Sequence, residues 1–169
     1  KMEALDGFSL GELNDGSGTL NGNFKMNGKL VDLEYQGFLR FNNAAFTVTK
    51  LNAPFTLLKE TVSIDNEGIS MSNFTIRDAK ENKLTVDGLV GTERFINPTF
   101  DLKVVANDFQ ALNAEKGDND FVYGTAVFDA TASITGDLQI PVIDLDATVG
   151  GSTDITYIMP TAAANIESS

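Results

Sequence analysis

A chain of 169 residues with 42% hydrophobic content can build one domain-sized core. Its 24 acidic against 12 basic residues give a net charge of -12, which repels nucleic acid phosphates and provides no basic patch for anionic headgroups, so any lipid would be held by its tails. With no cysteine, histidine or tryptophan, thiolate nucleophiles, imidazole bases and the usual zinc and copper ligands are all missing, and the expectation is a protein without catalytic residues, metal or cofactor.

The opening "KMEALDGF" lacks the apolar core of a secretion signal, and no apolar run approaches the roughly 20 residues that span a bilayer. If a membrane anchor belongs to this protein, it is expected outside these residues. From residue 18 onward, period-two alternation predicts strands almost throughout. Gly18, Leu20, Gly22, Phe24 and Met26 alternate with Thr19, Asn21, Asn23 and Lys25. Val31, Leu33, Tyr35, Gly37, Leu39 and Phe41 face one way; Asp32, Glu34, Gln36 and Arg40 face the other, with Phe38 as the exception. Shorter runs follow at Phe46/Val48, Val62/Ile64, Ile69/Met71, Leu84/Val86/Val90 and Phe100/Leu102/Val104. A long one contains Val122, Ala126, Phe128, Ala130, Ala132 and Ile134. No comparable helical stripe appears.

Turn-forming stretches such as "NDGSG", "MNGK", "DNEG", "DAKENK" and "EKGDND" separate these runs and imply mainly antiparallel neighbours. The alternation slips by one residue between Met71 and Phe74, and again between Ile140 and Ile143 across Pro141. Each slip predicts a bulge or bend, because an uncorrected slip would turn the following side chains onto the wrong face. "GDLQIPVIDL" from Gly136 matches "GLVGTERFINPTFDL" from Gly88, and "GKLVDLEYQGFL" from Gly28 is a looser copy. Residues 1–169 thus read as a single β-rich unit with loose hairpin repeats starting near 28, 88 and 136, as in a sheet extended by similar hairpins.

The acidic turns do not follow calcium-loop spacing: "GDNDFV" continues with Val122 and "DNEG" has no downstream carboxylate at the required distance. They read as solvated turns. Glu34, Asp101, Asp129 and Asp144 lie on strands but on the polar phase, where water is the default surrounding and a glycosidase-like raised pKa is not expected. "NFT" at Asn73 fits a glycosylation sequon, a tripeptide common by chance. What remains is the apolar phase itself. Two uses are open to it: a sealed two-layer β-sandwich, or one curled antiparallel sheet with an open apolar trough. The small residues Gly22, Gly37, Gly88, Gly124, Ala126, Ala130 and Ala132 on that phase lean toward the trough.

Two stretches carry a family resemblance. They are "LNAPFTLLKETVSIDNEGISMSNFTIRDAKENKLTVDGLV", with Asn66 to Ile69, Asp78, Asn82 and Gly88, and "DNDFVYGTAVFDATASITGDLQIPVIDLDATVGGSTDITYIMP". From about residue 16 to 160 the sequence resembles the C-terminal region of the TamB family, AsmA-like bacterial envelope proteins, in its Bacteroidota-like version. The resemblance implies a periplasmic β-taco, a curled all-β sheet with an apolar groove. It would belong to a larger protein anchored in the inner membrane that reaches an outer-membrane barrel of the BamA/TamA type. It implies a part in moving phospholipid between the membranes or in assembling outer-membrane proteins. The family's transmembrane helix is not among these residues, and the ending "TAAANIESS" has no strand pattern of the barrel-docking kind. On this reading Val31, Leu33, Tyr35, Leu39, Phe41, Phe100, Leu102, Val104, Phe128, Ile134, Ile143 and Leu145 line a groove for phospholipid acyl chains. The alternative expectation is a scaffold that pairs an edge strand with a nascent outer-membrane protein.

Overall fold

A computed structural model describes residues 12–29, 32–93, 96–118 and 120–159. Ten strands follow one another: β1 (Leu13–Lys29), β2 (Asp32–Val48), β3 (Ala53–Leu57), β4 (Thr61–Asp65), β5 (Gly68–Arg77), β6 (Lys83–Gly91), β7 (Thr99–Ala114), β8 (Val122–Asp137), β9 (Pro141–Val149) and β10 (Asp154–Tyr157). All belong to one sheet, so the two-layer sandwich does not form. The fold is all-β, and every pairing is antiparallel.

The path is a meander in which each row lies beside the one before it, as the short turns require. Two of its rows are broken strands. β3 and β4 both pair with β2, on Ala44–Val48 and Gln36–Arg40 respectively. Likewise β9 pairs with Gly136–Phe128 of β8, and β10 with Thr125–Val122. The connections β2–β3, β5–β6 and β7–β8 lie at one end of the sheet, called here the upper end; β1–β2, β4–β5, β6–β7 and β8–β9 lie at the lower end. The three hairpin copies starting at Gly28, Gly88 and Gly136 each run over the lower end.

Both alternation slips have structural counterparts. Between Met71 and Phe74 the β5–β6 register shifts, with Asn73 at φ 49°. The N–H that the bulge leaves unpaired is taken by the Asp87 carboxylate at 2.7 Å. At Pro141 the interruption is a hairpin turn: β8 ends at Asp137, whose Oδ1 accepts the N–H groups of Gln139 (3.0 Å) and Ile140 (2.9 Å), and Pro141 opens β9 opposite Gly136. Pro98 stands just before β7 in the same way. A proline at a strand's first position forfeits no ladder bond that the strand needs. The two lower loops also touch, since Leu138 N–H donates to Pro98 O at 3.0 Å and Gln139 N–H to Asn97 Oδ1 at 3.2 Å.

A further bulge was not foreseen. β7 shifts register against β8 between Ala106 and Phe109 and again between Gln110 and Leu112. Asp108, at φ 47°, donates its N–H to Asp129 Oδ1 at 2.8 Å. Asp87 and Asp129 thus do the same work: a polar-phase carboxylate accepts the stray donor of a bulge on the neighbouring strand, lowering the cost of bending the sheet.

Candidate apolar sheet surface

The register places the apolar phases of all strands on one face, and rows of side chains run across them. One row runs Leu39, Val62, Met71, Gly88, Leu102, Ile134, Ile143. Another runs from Phe24 through Gly37, Ile64, Ile69, Val90 and Phe100 to Gly136. Of the predicted lining residues, Leu33, Tyr35, Leu39, Phe41, Phe100, Leu102, Val104, Phe128, Ile134, Ile143 and Leu145 all fall on this face. Val31 lies outside the described residues. Phe38 faces the other way, as its phase requires, with the Arg40 guanidinium 5.3 Å from its ring centroid.

Sharing a face does not mean sharing an environment. At the upper end the sheet curls until β3 meets β7, across the gap left by the short β5–β6 hairpin. Phe55 and Phe109 stack with centroids 5.5 Å apart and planes 6° from parallel. Phe46 packs beside Phe55, and Phe128 beside Phe109, extending the contact across β2, β3, β7 and β8. Ala53 and Ala106 complete a buried cluster, and the Asn52 side-chain amide donates to Asp118 Oδ2 at 2.9 Å across the rim. A second cluster of Ala44, Leu57, Val62 and Phe74 packs β2 to β5 together, with Phe41 edge-on to Phe74 at 5.8 Å.

Asp78 holds the upper closure from beneath. It sits in the β5–β6 turn, 1% exposed. Its Oδ1 accepts the N–H groups of Lys80 (2.8 Å) and Asn82 (2.9 Å); its Oδ2 accepts the Gln110 N–H (2.8 Å) and the Asn82 side-chain amide (3.1 Å). Burial by itself raises the pKa of such a carboxyl. The hydrogen bonds from Gln110, Asn82 and Lys80 outweigh that effect and hold it below the ordinary carboxylate value. The sequence marked Asp78 as a turn former; its bond to β7, 32 residues on, depends on the curl and has no local signal.

The lower C-terminal part of the same face is open. Phe100, Leu102, Val104, Ala132 and Ile134 are half-buried and belong to neither cluster. Every residue of β9 is exposed, including Ile143 at 61% and Leu145 at 59%. Val149 on the same phase of β9 is exposed too, as are Leu138 and Ile140 in the β8–β9 turn, Val142 on the other phase, and Ile155 and Tyr157 on β10 at the upper end. At the opposite edge Phe24 and Met26 on β1 are exposed as well. A shallow, open depression of about 500 Å³ is lined largely by polar-phase residues, among them Asp87, Asp101, Lys103, Asp144 and Asp146.

Two glycines read as room for a trough serve the backbone instead. Gly88 has φ 128°, and a Cβ there would lie 2.0 Å from Asp101 O. At Gly37 the Phe24 ring of the neighbouring strand occupies the space, 2.4 Å from where a Cβ would be. Both positions exclude larger residues whatever the sheet encloses.

Among the described residues no helix is long and apolar enough to cross a membrane, and no group of three or more acidic, histidine or cysteine side chains is placed to hold a metal. No curated protein and no solved structure matches the chain. The model of one family, the TamB C-terminal domain, matches residues 72–169, from the β5 bulge through β10. That is more than half of the sequence, and the chain belongs to the TamB C-terminal domain family.

Proposed function

We propose that this TamB-family chain is a non-enzymatic module offering its apolar sheet face to phospholipid acyl chains as they pass between the inner and outer membranes, and that it works in the periplasm. One observation carries the reading: an apolar surface continuous across the sheet is packed shut at the upper end and left uncovered over β7 to β9. Burying a tail there releases about 0.8 kcal/mol per methylene. Aliphatic and aromatic side chains form no directional bond to it, so a tail can move from row to row. The acidic surface keeps anionic headgroups out in water.

A photoreactive group at Leu102 or Ile143 should capture phospholipid in living cells, whereas one at Thr85, on the polar phase of β6, should not. In the same assay Leu102→Asp should block lipid transfer much more than Thr85→Asp. Equal capture, or equal obstruction, at the two positions would discard the proposal.

A second reading has its own support. β9 has a strand partner on one side only, β8, among the described residues. A nascent outer-membrane protein, or a barrel of the BamA/TamA type, would pair with the open side by β-augmentation. Photoreactive groups along β9 would then capture polypeptide.

A further inference from the structure

Two turns at the lower end differ from their neighbours. The β4–β5 and β5–β6 turns are written in "DNEG" and "DAKENK", as solvated reversals are. The β6–β7 turn instead presents Ile96 at 92% exposure, and the β8–β9 turn presents Ile140 at 73% with Leu138 exposed beside it. Residues 96–98 and 138–143 contain no charged side chain. The two turns lie side by side, joined by Leu138 N–H on Pro98 O and Gln139 N–H on Asn97 Oδ1, so their exposed side chains share one tip of the sheet.

The backbone of the β8–β9 turn is already satisfied. Asp137 N–H donates to Ile140 O, Leu138 N–H to Pro98 O, and the N–H groups of Gln139 and Ile140 to Asp137 Oδ1. Pro141 has no N–H to place. A turn that stays in water gains little from such closure, because water accepts any donor left over. A turn that enters an apolar medium depends on it, since an unpaired N–H is costly there. The tip therefore joins side chains that leave water favourably to a backbone that can follow them.

A few aliphatic side chains on a narrow tip fall far short of the roughly 20–30 residues that each partner gives to a stable protein interface. Insertion into a bilayer surface asks only for apolar groups that reach the acyl boundary. The net charge of -12 selects the lipid class, because anionic headgroups repel the chain and zwitterionic ones do not. Neither turn depends on where the chain begins or ends: a sheet is extended sideways, at its edge strands. Glu12 and Met159, the first and last described residues, both lie at the upper end, where Thr49 N–H donates to Glu12 O and Ile158 N–H to Phe121 O.

We infer that the β6–β7 and β8–β9 turns insert Ile96, Leu138 and Ile140 into the surface of a zwitterionic phospholipid bilayer. This concerns the turns alone and stands whether or not the sheet face carries acyl chains.

The chain has no cysteine, so a single introduced one can be labelled. An environment-sensitive fluorophore on Ile140→Cys should shift to shorter wavelength when phosphatidylcholine vesicles are added, and one on Thr85→Cys should not. In flotation of the 169-residue chain with the same vesicles, Ile140→Asp should weaken association about tenfold or more. Leu145→Asp, exposed on the sheet face, should leave association unchanged. Phosphatidylglycerol added to the vesicles should weaken wild-type association. Circular dichroism should show native strand content in every variant, since the substituted positions Ile140 and Leu145 are exposed. A wild-type chain that does not float with vesicles would overturn the inference, as would equal shifts from the two labels. So would a loss at Leu145→Asp as large as at Ile140→Asp, which would move the contact to the sheet face, or tighter association with phosphatidylglycerol.

Discussion

Phe109 and Leu145 lie on the same phase of one continuous sheet, yet the first is 3% exposed and the second 59%. Phe109 stacks on Phe55 and meets Phe128 edge-on, inside the upper closure. Leu145 stands on β9 with β8 on one side and open space above it. Alternation decides which face a side chain takes, but not what that face meets; the curl decides the second, and the curl is set by bulges and by the short β5–β6 hairpin. The same apolar pattern therefore yields a core in one place and a binding surface in another.

The largest expected effect tests the closed side. Phe109→Ala should cost about 3–5 kcal/mol in chemical denaturation, because it removes a fully buried ring from the one cluster that joins β3 to β7. A cost below about 1 kcal/mol would mean that the upper end is as open as the lower.

Asp78→Ala comes next, at an expected cost on the order of 3 kcal/mol, since it strands the buried Gln110 N–H and the turn donors together. Its pH dependence has a definite sign. The folded pKa lies below the unfolded value of about 3.9, so the carboxylate's stabilising contribution is fully present above that value and fades as pH falls through the lower, folded one. The gap in stability between wild type and Asp78→Ala should be constant near neutrality and narrow only in that acid range. A gap that closes at pH 6 would contradict the hydrogen-bonded geometry.

Much of this molecule is legible in its sequence, for reasons that particular residues make plain. Leu102 and Ile134 declare their face because a strand has a period of two and no neighbour can alter it. The slip from Met71 to Phe74 announces its bulge for the same reason. Phe55 and Phe109 could not be paired from sequence, since 54 positions and three intervening strands separate them along the chain and only the closure brings them within stacking distance. Nor could β7's bulge at Asp108 be read: "ANDFQ" keeps no alternation to break, and the Asp129 that accepts its N–H sits on the next strand. Gly88 misled in the opposite direction, for its φ of 128° answers to the backbone of β7 and not to the space above the sheet. Local period is written in the chain; contact between distant rows has to be built by bends whose sizes depend on pairs of strands.

Leu145→Ala is the smallest and the most discriminating change. A side chain 59% exposed has little burial to lose, and its removal should move stability by no more than about 0.5 kcal/mol. That expectation holds for the isolated chain in dilute solution. If a lipid tail covers the face, the cost should rise when phospholipid is added, while that of Phe109→Ala stays fixed. A cost that stays small and flat with and without phospholipid would count against acyl chains as the occupant of the open half of the sheet.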